Sequence, residues 1–242
     1  MPRRISACLF DMDGVLTRTA EIHAAAWKQM FDEYLSRRAA SEGGEFVPFD
    51  EVKDYDNFVD GRPRLDGTRE FLRARGIELP DGSPDDPPGT ETVYGLSNQK
   101  NQLVQKLIAE RGVAVYPGSV RFLQEARRRS LATAVVSSSA NTVEVLRAAG
   151  LQEMFDATID GVVAEREGLK GKPAPDTYLA AAHRLGVDPK VAAVFEDALA
   201  GVEAGRAGGF GLVVGVDRVG QSDALAAHGA DVVVTDLAEL MG

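Results

Sequence analysis

Five short runs of the chain, 5–10, 132–136, 191–195, 211–216 and 231–234, are rich in Val, Ala, Ile and Leu and show no polar alternation. Strands of that kind are buried on both faces, as in a parallel sheet. Helical patterns stand between them at 119–129, 141–149, 175–185, 198–207 and 222–228. Parallel neighbours need a crossover, and a helix is the usual one, so the order commits the chain to an α/β fold around a Rossmann-like parallel sheet.

The alternation is broken once. From about 18 to 116 the pattern is helical, at 20–38, 68–75 and 96–111, with loops at 41–49 and 80–92. The second loop carries Asp81-Gly82-Ser83-Pro84-Asp85-Asp86-Pro87-Pro88-Gly89, which suits neither a helix nor a central strand. A core domain of 1–17 and 116–242 is therefore expected, with 18–115 as an inserted helical domain. The length of 242 residues is enough for one to two domains.

In open α/β sheets, ligands bind beyond the carboxyl ends of the strands. The first strand is followed by Asp11-Met12-Asp13-Gly14-Val15 and the second by Ser137-Ser138-Ser139. Glu196-Asp197 follows 191–195, and Gly171-Lys172-Pro173-Ala174-Pro175-Asp176 precedes a helix. Each motif alone has a plainer explanation: a solvated turn, turn chemistry, a helix cap or a surface loop. Their joint placement on one sheet edge favours a site.

Asp11, Asp13, Glu196 and Asp197 cannot all ionise in a small space without cations. All-oxygen donors suit Mg²⁺, and Lys172 adds one more positive charge. A carboxylate so held can attack phosphorus, and a second one two residues on can move the proton of the leaving or attacking hydroxyl. Ser137 can hold a phosphoryl oxygen, while Lys172 and the cation stabilise charge on the transferring group. The reaction class that follows is phosphoryl transfer.

Charge and composition exclude other classes. With 27 Lys and Arg against 37 Asp and Glu, the net charge of −10 is ill-suited to coating nucleic acid. Arg127-Arg128-Arg129 reads as a solvated helix face. No apolar run approaches membrane-spanning length. Residues 1–4 lead into an apolar stretch broken by Asp11 and Asp13, which argues against a signal peptide. The single cysteine, Cys8, fits a reducing compartment, and a cytoplasmic monomer is expected. Gly208-Gly209-Phe210-Gly211 precedes its strand, so it reads as a helix stop and not a dinucleotide loop.

The four motifs together resemble the haloacid dehalogenase superfamily, and within it the β-phosphoglucomutase family. The closer resemblance rests on Thr17-Arg18-Thr19-Ala20-Glu21-Ile22-His23-Ala24-Ala25-Ala26-Trp27-Lys28, Tyr116-Pro117-Gly118 and Ser137-Ser138-Ser139-Ala140-Asn141, and on Lys172-Pro173-Ala174-Pro175-Asp176 and Glu196-Asp197-Ala198-Leu199-Ala200-Gly201. The resemblance implies a helical cap inserted after the first strand, Asp11 as nucleophile and Asp13 as general acid/base. It places Mg²⁺ on Asp11, the Asp13 carbonyl and Asp197, with Glu196 nearby or ligating.

It further implies interconversion of β-glucose 1-phosphate and glucose 6-phosphate through β-glucose 1,6-bisphosphate. That cycle needs a second phosphate site, assigned by match to Arg64 with Ser139 and Asn141. Lys100 matches a substrate-contacting lysine, and Thr19 and His23 match residues that couple cap closure to Asp13. Trp27 lies one helical turn after His23 on the same face. The chain departs from the family in Ala140, where a lysine is frequent, and in Ala198, where a serine is frequent. The alternatives are a sugar-phosphate or phosphoglycolate phosphatase using the same two aspartates, and a catalytically silent binding protein.

Overall fold

The computed structural model describes residues 5–241, so the reading made on residues 1–4 lies outside them. Two compact units divide the chain, Met1–Thr19 with Val113–Gly242 and Ala20–Gly112.

The first unit is built on a six-stranded, wholly parallel sheet in the order β3-β2-β1-β4-β5-β6. Its strands are β1 (Ala7–Phe10), β2 (Ala132–Val136), β3 (Ala157–Ile159), β4 (Ala192–Glu196), β5 (Leu212–Val216) and β6 (Val232–Val234). β1 pairs with β2 on one side and β4 on the other, with Phe10 opposite Val135 and Phe195. The strand order reverses about β1, so the carboxyl ends of β1, β2 and β4 flank a topological switch point.

Its helices are α4 (Pro117–Arg128), α5 (Thr142–Ala148), α6 (Gly161–Glu167), α7 (Asp176–Leu185), α8 (Leu199–Ala207) and α9 (Ser222–His228). Leu9, Val136, Ile159, Tyr178, Ala181, Val194, Val202, Val213 and Leu225 make the core on one side of the sheet. α7 packs on β1, β2 and β3. α8 ends at the Gly208-Gly209 stop, where Gly209 has φ +68° before β5 begins.

The second unit holds α1 (Ala20–Glu42), α2 (Arg64–Ala74) and α3 (Val93–Arg111), with a short π-helical turn at Tyr55–Val59. Its core is aromatic: Phe31 lies 4.0 Å from Phe71, 5.3 Å from Trp27 and 5.4 Å from Phe49, between ring centroids. Phe49 comes from the long loop after α1, tied down by its N–H donating to Asp32 at 2.7 Å and by Lys28 donating to its carbonyl at 3.0 Å. The Pro-rich loop before α3 is ordered around Asp86, whose carboxylate accepts from the Thr92 hydroxyl at 2.6 Å and the Ser83 N–H at 3.1 Å. Asn98 donates back to the carbonyls of Pro84 and Asp86, both at 3.0 Å.

The structure adjusts several sequence-based elements. α2 begins at Arg64 and not at 68, because Pro63 supplies a restricted start that a helix accepts. α1 runs to Glu42 and shortens the loop that follows. The run 191–195 begins one residue late, since Pro189–Val191 forms a 3₁₀ turn capped by Asp188. β3 and α6 have no counterpart in the sequence reading. Residues 18, 19 and 113–115 group with the first unit, where the Arg18 N–H donates to the Ala114 carbonyl at 2.8 Å. Among the described residues, no helix is long and apolar enough to cross a membrane.

Candidate active site

The ends of three neighbouring strands deliver the charged groups. Asp11 follows β1, Ser137 follows β2, and Glu196 and Asp197 stand at the end of β4. The connection into α7 delivers Lys172 to the same place. Asp11, Lys172, Glu196 and Asp197 are all buried.

The Lys172 ammonium has three hydrogens and three acceptors. It donates to Asp11 Oδ1, to Glu196 Oε1 at 2.5 Å and to the Val136 carbonyl at 3.2 Å. Burial opposes its charge, but Asp11 and Glu196 outweigh burial and raise its pKa, so it stays an ammonium. Burial pushes the Asp11 carboxyl well above the ordinary carboxylate range; Lys172 pulls it down, and Glu196 and Asp13 push it up again. The lysine therefore offsets only part of what raises the Asp11 carboxyl.

Asp11, Glu196 and Asp197 each present an oxygen within 4.8 Å of the others. Three converging carboxylate oxygens with no nitrogen or sulfur are the donor set of a hard divalent cation. The residues present thus fit a metal, and a cation there would favour the ionised form of Asp11. The backbone leaves room for the acids: Gly14 has φ +83°, and a Cβ on it would collide with the Asp197 carboxylate. A Cβ on Gly201 would likewise strike the Glu196 carboxylate.

The Asp13 side chain is held apart from this triad of oxygens. Thr19 Oγ1 donates to Asp13 Oδ1, and Ser137 Oγ donates to Asp13 Oδ2 at 3.3 Å. Thr17 Oγ1 lies 2.6 Å from Thr19 Oγ1 and 3.1 Å from the Met12 carbonyl, which steadies the pair of hydroxyls. Ser139 and Asn141 lie in the same turn after β2, where the Ser139 N–H donates to Ser137 Oγ and the Asn141 N–H donates to Ser139 Oγ, both at 3.1 Å. The core residues singled out in the sequence thus fall into two groups at the same sheet edge: Asp11 with Lys172, Glu196 and Asp197, and Asp13 with Thr19, Ser137, Ser139 and Asn141.

The other singled-out residues belong to the second unit. Lys100 Nζ lies 2.8 Å from His23 Nδ1 and 4.7 Å from the centre of the Trp27 ring. Trp27 stacks on Phe31, so it serves the aromatic core as well as the lysine. Arg64 is the first residue of α2.

Three groups escaped the sequence reading. The Tyr178 hydroxyl donates to Glu196 Oε1 at 2.7 Å, and its ring faces Lys172 Nζ at 5.2 Å. Arg218 donates to the Gly14 carbonyl and the Thr235 carbonyl, both at 2.7 Å, and lies 3.6 Å from the centre of the Tyr116 ring. Gln221 donates to the Asp197 carbonyl at 3.0 Å. None of the three stands in a motif that the sequence makes conspicuous.

A parallel sheet with an acid-rich switch point and a separate helical unit defines a class, and comparison with known proteins agrees with it. The haloacid dehalogenase-like hydrolase profile matches residues 5–209. A β-phosphoglucomutase of Mycobacterium tuberculosis is 56% identical over 244 aligned positions, covering 100% of this chain and 93% of its own. The β-phosphoglucomutase of Bacillus subtilis is 30% identical, over 98% of this chain and 92% of its own. The crystal structure of a Clostridium difficile β-phosphoglucomutase superposes with a TM-score of 0.76 at 25% identity, covering 98% of this chain and 93% of that one. The chain belongs to the haloacid dehalogenase superfamily and, within it, to the β-phosphoglucomutase family.

Proposed function

We propose that the protein is a β-phosphoglucomutase, interconverting β-D-glucose 1-phosphate and glucose 6-phosphate through β-glucose 1,6-bisphosphate. The observation that carries this reading is the 56% identity, across the whole chain, to a β-phosphoglucomutase. The buried cluster of Asp11, Lys172, Glu196 and Asp197 supports the chemistry.

In this reading a carboxylate oxygen of Asp11 forms a bond to phosphorus of the bisphosphate. The bond from phosphorus to the sugar oxygen breaks, and Asp13 gives that oxygen its proton. Asp11 then carries an aspartyl phosphate, and the freed hydroxyl belongs to a hexose monophosphate. In the opposite direction Asp13 takes the proton from a sugar hydroxyl as that oxygen attacks the same phosphorus, and the bond from phosphorus to the Asp11 carboxylate oxygen breaks, which frees the carboxylate. Thr19 and Ser137 fix the Asp13 carboxylate for both tasks. Lys172 neutralises charge beside Asp11. A cofactor Mg²⁺, on Asp11, Glu196, Asp197 and the Asp13 carbonyl, would neutralise charge as the phosphoryl group transfers.

Arg64, Ser139 and Asn141 are assigned to the distal phosphate, and Thr19, His23, Trp27, Lys100, Ser137 and Lys172 to the substrate and its reacting phosphate. The second unit is assigned the role of a cap. The protein is assigned to the cytoplasm, acting as a monomer on a sugar phosphate without nucleic acid or membrane.

The test is one tube of protein, Mg²⁺ and β-glucose 1-phosphate, with and without a trace of glucose 1,6-bisphosphate. Glucose 6-phosphate formed without matching inorganic phosphate, and primed by the bisphosphate, is the expected result. Inorganic phosphate alone would make the protein a phosphatase of the same superfamily.

A further inference from the structure

We infer that Tyr178 is a positioning residue for the reaction, holding Glu196 so that one carboxylate serves both Lys172 and the divalent cation. The inference rests on the proposed phosphoryl transfer at Asp11 and deepens it. Glu196 is fully buried, and both of its carboxylate oxygens accept hydrogen bonds. Its Oε1 accepts from Lys172 Nζ at 2.5 Å and from the Tyr178 hydroxyl at 2.7 Å. Its Oε2 accepts from the Ala198 N–H at 3.3 Å. Gly201 of α8 closes the space behind the carboxylate, since any Cβ there would strike it.

Lys172 alone does not fix this carboxylate, because the same ammonium must also hold Asp11 and the Val136 carbonyl. A glutamate side chain has more rotatable bonds than the aspartates beside it, so it needs an anchor on a rigid element. Tyr178 provides one. It stands in the first turns of α7, it is fully buried, and its ring meets Phe210 edge-on at 6.0 Å. Its hydroxyl is a neutral donor, so it orients Glu196 without adding a charge. With that hydroxyl in place, Glu196 Oε1 stays toward Lys172, and Lys172 stays toward Asp11. The chain of contacts runs from α7 through β4 to the residue after β1, which are three separate pieces of sequence. Residues one shell out from a metal site typically change its affinity by about 10–100-fold when removed.

The experiment uses the full chain. Tyr178→Phe keeps the ring and its packing and removes one oxygen. Mn²⁺ binding, measured by electron paramagnetic resonance with no sugar present, should weaken about tenfold. At fixed metal, kcat should fall while KM for the hexose phosphate stays within about twofold, since the hydroxyl orients the cluster and does not touch the sugar. Phe210→Leu perturbs the packing of the same ring and leaves the hydroxyl, so it should lower the melting temperature and leave Mn²⁺ affinity unchanged. Unchanged Mn²⁺ affinity in Tyr178→Phe, or equal weakening in Phe210→Leu, overturns the inference. A measurement on the unsubstituted protein guards against a variant that does not fold. With fluorotyrosine at its five tyrosines, at least one fluorine resonance should move on Mg²⁺ addition. No movement overturns the inference as well. Metal binding is read without substrate, so a protein that hydrolyses sugar phosphates would refute the mutase reading and leave this one standing.

Discussion

Gly14 shows how closely single residues constrain the cluster. Its φ of +83° lies where an L side chain is strained, and a methyl group would enter the space of the Asp197 carboxylate. The strain costs about 1–2 kcal/mol for a residue other than glycine. Displacement of Asp197 matters more, because it removes one of three converging oxygens. Gly14→Ala should fold, with a modest loss of stability, and should weaken Mn²⁺ binding by at least about tenfold in an equilibrium titration. Wild-type affinity in that variant would mean that Asp197 is not a ligand. The sequence made Asp11, Asp13, Lys172, Glu196 and Asp197 legible because charged pairs at strand ends are chemically conspicuous. It did not disclose that all three Lys172 hydrogens are already committed, or that Thr19 and Ser137 share the Asp13 carboxylate. Those facts depend on the folded chain, which brings Lys172 to Asp11 across 161 positions and Ser137 to Asp13 across 124. Tyr178 and Arg218 were hidden because each side chain also fits an ordinary core or surface role.

Elements were legible in proportion to their length and burial. The long helices and the fully buried strands came through because a repeated apolar pattern outweighs local exceptions. β3 did not, since its three residues include Thr158 and only Ile159 is fully buried. α6 lasts seven residues and has no fully buried side chain, so it has no stripe to read; its signals are the Asp160 cap, donated to by the Val163 N–H at 2.8 Å, and Gly168 at φ +64°. The basic run at the end of α4 does behave as a solvated face. Arg128 and Arg129 both pair with Glu125, at 2.7 and 2.6 Å, and hold its carboxyl down at about 2. In the second unit, α1 and α2 are joined mainly by rings, with Phe31 at the centre of four aromatic neighbours if its own contacts and those of Phe71 are followed. Phe31→Ala should therefore cost about 3–5 kcal/mol, the range for deleting a large buried ring. Urea unfolding monitored through Trp27, which stacks on the lost ring, reads the change. A loss below about 1 kcal/mol would mean the aromatic cluster collapses around the gap or is not the core of this unit.

At the scale of the whole chain, charge and architecture combine in one measurable way. The net charge of −10 belongs to a chain that buries three converging carboxylates, Asp11, Glu196 and Asp197, at one sheet edge. Burying carboxylates without enough positive charge costs stability, and a bound cation recovers it. Whatever binds the folded state alone stabilises it by RT ln(1 + [L]/Kd), about 2.7 kcal/mol at a hundred times Kd. For a chain this long, each kcal/mol moves the melting temperature by about 2–4 °C, so saturating Mg²⁺ should raise it by about 5–10 °C. Equal ionic strength from NaCl should not, because salt screens exposed charges and barely reaches buried ones. Asp11→Asn removes one negative charge from the cluster. It should raise the melting temperature of the metal-free protein and shrink the Mg²⁺ shift. Hydrogen exchange locates the effect: amides at 11–14 and 196–198, beside the converging oxygens, should gain protection with Mg²⁺, and those around Phe31 and Phe71 should not. A Mg²⁺ shift matched by NaCl, or protection spread evenly over both units, would contradict a cation held by Asp11, Glu196 and Asp197.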